Sequence, residues 1–277
     1  MKRKFDLPAR LRVRPGDRPG LKDPDASRTF GWSEAEAGVE CARIAPELEE
    51  LQYKLYADGR FGMLVVLQAI DGGGKDSTIR HVFSAFNPQG CCVRAFKVPG
   101  AEELRHDYLW RVHAHAPARG ELAVFNRSHY EDVIVPRVDG LVPTATWKAR
   151  YGHINDFERM LGDSGIHVVK LFLQISRDEQ KRRFKDRIDN PRKQWKFEGA
   201  DLDKRAQWPQ YRSAYREMLR KCSTKAAPWY VIPADNKWLR DLAVAQVLLK
   251  HLAALPLRFP PPRFAPKKMR RRLGASS

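Results

Sequence analysis

Residues 71–78 read DGGGKDST and follow the apolar run GMLVVLQAI at 62–70. Gly72, Gly73 and Gly74 allow a turn whose backbone N–H groups point inward at an anion, and Lys75 supplies a cation. A helix beginning at Lys75 adds the partial positive charge of its N-terminus. The run departs from the usual phosphate loop. Ala69 stands at the first glycine, and Asp76 stands where Ser or Thr would hold Mg²⁺, with Ser77 and Thr78 as the nearby hydroxyls. The chemistry on offer is phosphate binding; the bland alternative is a glycine-rich turn.

Two acids in an anion loop need a reason. A carboxylate a few ångströms from phosphate is repelled unless a positive charge lies between them. Mg²⁺ takes carboxylate and phosphate oxygens together, which makes Asp71 the first candidate for a metal ligand or for positioning the attacking phosphate. The competing reading is a helix cap. For Asp76 the local reading is preferred, because an acid in a helix's first turn is favoured by the dipole.

A second constellation is AVFNRSHYEDVIVPR at 123–137, at the end of another apolar run. Asn126 occupies the place where an acid commonly ends such a strand. Arg127 and Arg137 are candidates for holding phosphate, and Glu131 for holding Mg²⁺ or its water. An internal Arg–Glu network is the alternative. The third is residues 177–208, within a segment (177–225) of sixteen basic and eight acidic residues. In small-molecule kinases a mobile lid at this place brings cations onto phosphates and excludes water. A solvated helix face is the alternative.

These groups need a frame. A helix is expected over 32–57, opened by a Ser33–Glu36 capping box. Strands are expected at 62–70, 91–98, 120–126, 166–176 and 229–234, and helices at 75–86, 101–116, 144–165, 178–188 and 237–255. Alternation of this kind means a parallel sheet covered on both faces, with its ligand beyond the carboxyl ends of the strands. Residues 1–30 read as a basic irregular arm, 31–255 as the domain with a lid at about 177–225, and 256–277 as a basic flexible tail.

The net charge of +18 is unevenly spread: +6 in residues 1–22, +7 from Pro256 onward, and +5 in the body. Such a distribution suits a polyanionic partner, with solubility or disorder of the arms as the bland reading. Cys41, Cys91, Cys92 and Cys222 form no CxxC pair, so a cytoplasmic location is expected. The basic N-terminus lacks the apolar stretch of a signal peptide, and no apolar run is long enough to span a membrane. His106, His113 and His115 share a segment without an acid or cysteine to complete a metal site. Trp110, Trp195, Trp208 and Trp229 read as packing, with Trp195 the one placed in the lid.

Together the runs VVLQAIDGGGKDSTIRHV, FNPQG, HDYLWRVH, FNRSHYEDV, DNPRKQWKF and APWYVIPADNKW resemble the polyphosphate kinase 2 family, over roughly residues 35–255. Within it the chain is similar to the subgroup that phosphorylates both nucleoside monophosphates and diphosphates. The resemblance implies a three-layer α/β/α P-loop kinase fold of thymidylate-kinase type, with a five-stranded parallel sheet and a helical lid. It implies reversible transfer from inorganic polyphosphate to AMP or ADP with Mg²⁺, or Mn²⁺ in its place. Guanine nucleotides are a second acceptor class, and a homodimer or homotetramer is expected.

Carried over at matching positions, Asp71, Lys75, Arg127 and Glu131 become the catalytic group, Asp71 and Glu131 on the metal. Arg187, Lys193 and Lys196 are carried over to the lid. Gly72, Gly73, Gly74, Asp76, Ser77, Thr78, Asn126, Arg137 and Arg183 are candidates for the phosphate and nucleotide surroundings by their place in the three stretches. The loop departs from the family at 72 and 73, where Ala is usual, and at 77, where Gly is usual; the tail has no clear counterpart. An ATP-dependent nucleoside monophosphate kinase and a nucleic-acid-binding P-loop protein are the alternatives. The degenerate loop and Asn126 weigh against the first, and nucleic acid is not the expected partner.

Overall fold

The computed structural model describes residues 6–275. Five strands, β1 (Gly62–Gln68), β2 (Cys91–Ala95), β3 (Leu122–Asn126), β4 (Ile166–Gln174) and β5 (Trp229–Pro233), form one sheet in the order β2-β3-β1-β4-β5. Every pairing in it is parallel. β1 is buried along its whole length, as a strand covered on both faces must be. Its side chains alternate between two cores. Met63, Val65 and Leu67 join one with Leu122, Val124, Val169 and Leu171; Leu64 and Val66 join the other with Ala123, Phe125 and Val168.

The helices are α1 (Leu7–Leu11), α2 (Glu34–Asp58), α3 (Lys75–Val82), α4 (Trp110–His113), α5 (Glu131–Val138) and α6 (Thr144–Asp163), followed by α7 (Arg177–Asp189), α8 (Ala200–Ala206), α9 (Trp208–Cys222), α10 (Lys237–Ala253) and α11 (Pro266–Gly274). The first core is closed by α1, α2, α3 and α10, and the second by α4, α5, α6 and α9. The result is the expected three-layer α/β/α arrangement. Among the described residues no helix is long and apolar enough to cross a membrane.

The capping box of α2 forms as its spacing predicts, and the helix continues through Pro46. Three expectations are revised. The segment 101–116 is not one helix: a 3₁₀ turn at Glu103–Arg105 and the single turn α4 are separated at Asp107, whose Oδ1 accepts from Leu109 N at 2.9 Å. That side chain offers the backbone a partner which competes with the helix. The arm does not stay irregular either. Asp6 caps α1, Val13 N donates to Trp229 O at 2.8 Å, and Leu7, Leu11, Val13, Leu21 and Ala26 are all buried. The tail carries α11, an exposed helix with no buried residue.

Candidate functional site

β1 and β3 lie side by side with Leu67 opposite Asn126, so the loops leaving their carboxyl ends open next to each other. The first is the glycine turn. Gly72 and Gly74 adopt φ of 83° and 97°, which side-chain-bearing residues rarely reach. A Cβ at Gly74 would also lie 2.5 Å from Arg240 Nη1. Lys75 begins α3, is buried, and donates from Nζ to Ala69 O at 3.1 Å. Burial lowers the affinity of this ammonium for its proton; Asp71, Glu131 and Asp76 counter the effect.

The second loop carries Arg127, a non-glycine residue at φ 63°. Its N–H donates to Leu67 O at 3.1 Å, extending the sheet ladder by one bond. The guanidinium donates from Nη2 to Asp71 Oδ1 at 2.8 Å. A left-handed residue at this turn is strain that the surrounding contacts hold in place. Burial pushes the Asp71 carboxyl up, but Lys75, Arg127 and Lys204 outweigh it and hold it below the ordinary range. Glu131 opens α5 and responds in the opposite direction. Burial raises its pKa against the pull of Arg127 and Lys75. The amide of Gln68, oriented to satisfy its neighbours, donates to Glu131 Oε1 at 2.8 Å and accepts from Ser128.

The turn between these two residues rests on a buried ionic cluster. Lys170 Nζ donates to Glu158 Oε2 at 2.5 Å, to Tyr130 OH at 3.0 Å and to Cys222 O at 2.6 Å. Glu158 Oε1 also accepts from Tyr130 OH at 2.7 Å and lies 3.2 Å from His129 Nε2. All four side chains are buried.

Asp71, Lys75, Arg127 and Glu131 thus come together. Asp76 finds a partner that its position in α3 did not suggest: Asn126 Nδ2 donates to its Oδ1 at 2.8 Å. An acid in the loop and an amide at the strand end are complementary, whereas two acids there would repel. Asn126→Asp is therefore expected to cost about 1 kcal/mol at pH 8, because this pair is exposed. Urea unfolding of the two proteins at that pH measures it. Ser77 and Thr78 turn their hydroxyls to Gly74 O, at 3.0 and 3.1 Å, and Arg240 Nη1 donates to Ser77 Oγ at 2.8 Å.

Other candidates are committed to contacts of their own. Arg137 pairs with Glu217 at 2.6 Å and lies over the Trp147 ring, so it braces α5 against α9 and α6. Arg183 is buried, donating to Gly72 O at 2.9 Å and to the carbonyls of Ala234 and Asp235; it supports the loop from behind. Arg187, Lys193 and Lys196 sit on the segment from α7 to α8. Arg187 lies 3.9 Å from Asp201, Lys193 pairs with Asp186 at 2.7 Å, and Lys196 lies over Trp195.

Three further residues reach the site. Lys204 of α8 stands 3.6 Å from Asp71 Oδ2, Gln180 Nε2 donates to Asp71 O at 2.7 Å, and Arg240 backs Ser77. Lys204 and Arg240 were visible as cations and Gln180 only as a neutral amide, but the contacts span from 109 to 163 residues of chain and left no local spacing to read.

Among the described residues no group of three or more His, Cys, Asp or Glu side chains is placed to hold a metal. Asp71 and Glu131 still fit Mg²⁺, which commonly takes one or two carboxylates and completes its shell with water and substrate phosphates. The arrangement can receive an anion on the glycine turn, neutralise it with Lys75 and Arg127, and leave two carboxylates for a cation.

Residues 32–258 match the model of a family described as polyphosphate kinase 2. An AMP/ADP-polyphosphate phosphotransferase of Meiothermus ruber is 49% identical over 262 residues, which cover 94% of this chain and 98% of that one. An ADP-polyphosphate phosphotransferase of Rhodopseudomonas palustris is 44% identical over 77% of this chain and 78% of its own. The crystal structure of a polyphosphate kinase 2 from Arthrobacter aurescens TC1 superimposes with a TM-score of 0.93 at 40% identity, covering 100% of this chain and 99% of that one.

Proposed function

The chain belongs to the polyphosphate kinase 2 family, and on that premise we propose that it moves the terminal phosphate of inorganic polyphosphate to AMP and ADP, reversibly. The observation that carries this reading is the Asp71–Arg127 pair at 2.8 Å beside the buried Lys75, at the mouth of the glycine turn. Phosphoryl transfer asks for in-line placement and neutralisation of charge, with little covalent work by the protein. Here both reactants are polyanions, so repulsion between them is the main obstacle.

Gly72, Gly73 and Gly74 and the start of α3 receive the donor's end, with Lys75 on its outer oxygens. Arg127 swings from Asp71 to the group in transfer. Asp71 and Glu131 would hold Mg²⁺, with Mn²⁺ as a substitute, and a bound ion would supply charge neutralisation. The segment from α7 to α8 acts as the lid. Lys204 occupies Asp71 before substrate arrives, and closure over the acceptor excludes water that would intercept the phosphoryl group. Adenine nucleotides are the acceptors, with guanine nucleotides as a second class. The working form is a homodimer or homotetramer in the cytoplasm.

The protein incubated with AMP, long-chain polyphosphate and Mg²⁺ is expected to yield ADP and then ATP, resolved by anion-exchange chromatography. Chelation of the metal is expected to lower the rate by about 10²-fold or more. Phosphorylation of AMP from ATP, with none from polyphosphate, would overturn the proposal.

A further inference from the structure

A groove of about 410 Å³ lies on the outer side of α9, lined by Arg18, Ser213, Arg216, Glu217 and Arg220. Arg216 and Arg220 are four residues apart on one face of the helix, so their guanidinium groups are neighbours. Arg18 comes from the N-terminal segment, whose buried Val13 and Leu21 fix that stretch to the second core. Among the described residues no carboxylate lies within 4 Å of any of the three arginines. Glu217, the acid in the groove, is taken by Arg137 at 2.6 Å. Three exposed guanidinium groups facing one groove repel each other, and a multivalent anion relieves that repulsion. Arginine also matches phosphate oxygens through its fork of donors.

The groove meets the helix that opens at Glu131, because its lining residues Glu217 and Ser213 are the partners of Arg137. α5 starts at Glu131, and Arg137, six residues on, touches both Glu217 and Ser213. At 1.5 Å per residue that separation is about 9 Å. The inward face of the same α9 carries Tyr211 and Tyr215, both buried. Burial first, and then nearby charges including Asp71 and Glu131, raise their phenol pKa values. Lys204 of α8 stands at Asp71, and α9, which follows it in the chain, carries Arg212, Arg216 and Arg220. Arg212 is partly held by Asp23 at 3.8 Å.

We propose that Arg18, Arg216 and Arg220 bind the distal phosphates of a long polyphosphate whose reactive end lies at Lys75. This rests on polyphosphate being the donor. The groove then acts as a chain-length selector: long donors span it and short ones do not reach it. It also gives the basic arm a task, because Arg18 completes the groove from a segment otherwise remote from the chemistry.

The test compares the triple variant Arg18→Gln, Arg216→Gln, Arg220→Gln with the unaltered protein, using tripolyphosphate and a long-chain polyphosphate as donors. The expected result is a rise of about tenfold or more in KM for the long chain. The kcat for both donors and the KM for tripolyphosphate should stay within about twofold. The slope of log affinity against log salt for the long chain should fall by about one for each arginine removed, as counterion release requires. An unchanged long-chain KM and salt slope overturns the proposal, as does an equal loss with both donors. A single-stranded oligonucleotide that loses binding in the variant while the long-chain KM stays put also overturns it. If the unaltered protein transfers phosphate from neither donor, the donor assignment fails instead, and the two failures are told apart.

Discussion

Asp71→Asn is expected to reduce transfer from polyphosphate to AMP by about 10³-fold while leaving the protein folded. Asparagine keeps the volume and can still meet Arg127 at the present 2.8 Å. It removes the negative charge, and that charge answers Lys75, Arg127 and Lys204 in the resting protein. In the reacting complex the proposal gives it a divalent ion instead. Removal of one charged group that stabilises a transition state typically costs 10²–10³ in rate, and loss of a metal ligand adds to this. The discriminating measurement is transfer at saturating AMP over a range of Mg²⁺. The variant should need far more Mg²⁺ and should not recover the full rate at any concentration. A near-normal rate would show that Asp71 only spaces Lys75 from Arg127. Circular dichroism and a thermal melt separate this outcome from misfolding.

The reason to expect little structural damage also explains what the sequence could reveal. The glycine turn, its lysine and the strand–loop–helix around them are local features, and each was legible in consecutive residues. The same holds for Arg127 and Glu131, which follow β3 at a fixed distance. Long-range pairing was not legible. Asp76 read as a helix-dipole residue, yet its partner Asn126 is 50 residues away. The two were singled out separately as departures from the usual motif. In the fold they form one compensated exchange, with the acid moved to the loop and the amide to the strand end.

Arg183 and Arg137 mark the other limit. Each was a reasonable phosphate ligand by charge and place, but charge does not reveal partners. Arg183 is drawn inward by the carbonyls of Gly72 and Ala234, and Arg137 by Glu217. Lys204, from a stretch read only as generally basic, is the α8 residue that reaches Asp71. The N-terminal arm misled for a related reason. Its Pro, Gly and charge content suits an irregular segment, while Leu7 and Leu11 join one core and Val13 and Leu21 the other, so the four mark no single buried face.

Lys170→Met should produce the largest loss of stability of any single substitution considered, about 3–5 kcal/mol by urea unfolding at pH 7. The substitution leaves Glu158 ionised and buried beneath the turn that carries Arg127 and Glu131, and an uncompensated buried charge costs that much. Burial raises the Glu158 carboxyl, but Lys170 and His129 outweigh it and hold it below its usual range. A folded-state pKa below the unfolded one means that the pair stabilises the native protein above the unfolded value. That contribution is lost as pH falls through the folded one. The deficit of the Lys170→Met variant should therefore shrink in acid, where Glu158 is protonated in both proteins. Pairing it with Glu158→Leu should recover most of the stability at pH 7, since apolar replacement of both partners removes the orphaned charge. Activity should not follow stability. Tyr130 OH loses both its ionic partners in the double variant, and the turn between Arg127 at φ 63° and Glu131 is then held from the sheet side alone, by Leu67 O and the Gln68 amide. A stable double variant whose kcat is down about tenfold or more would show that the cluster sets the geometry of the site. A stable variant with full activity would show that the cluster serves the fold alone.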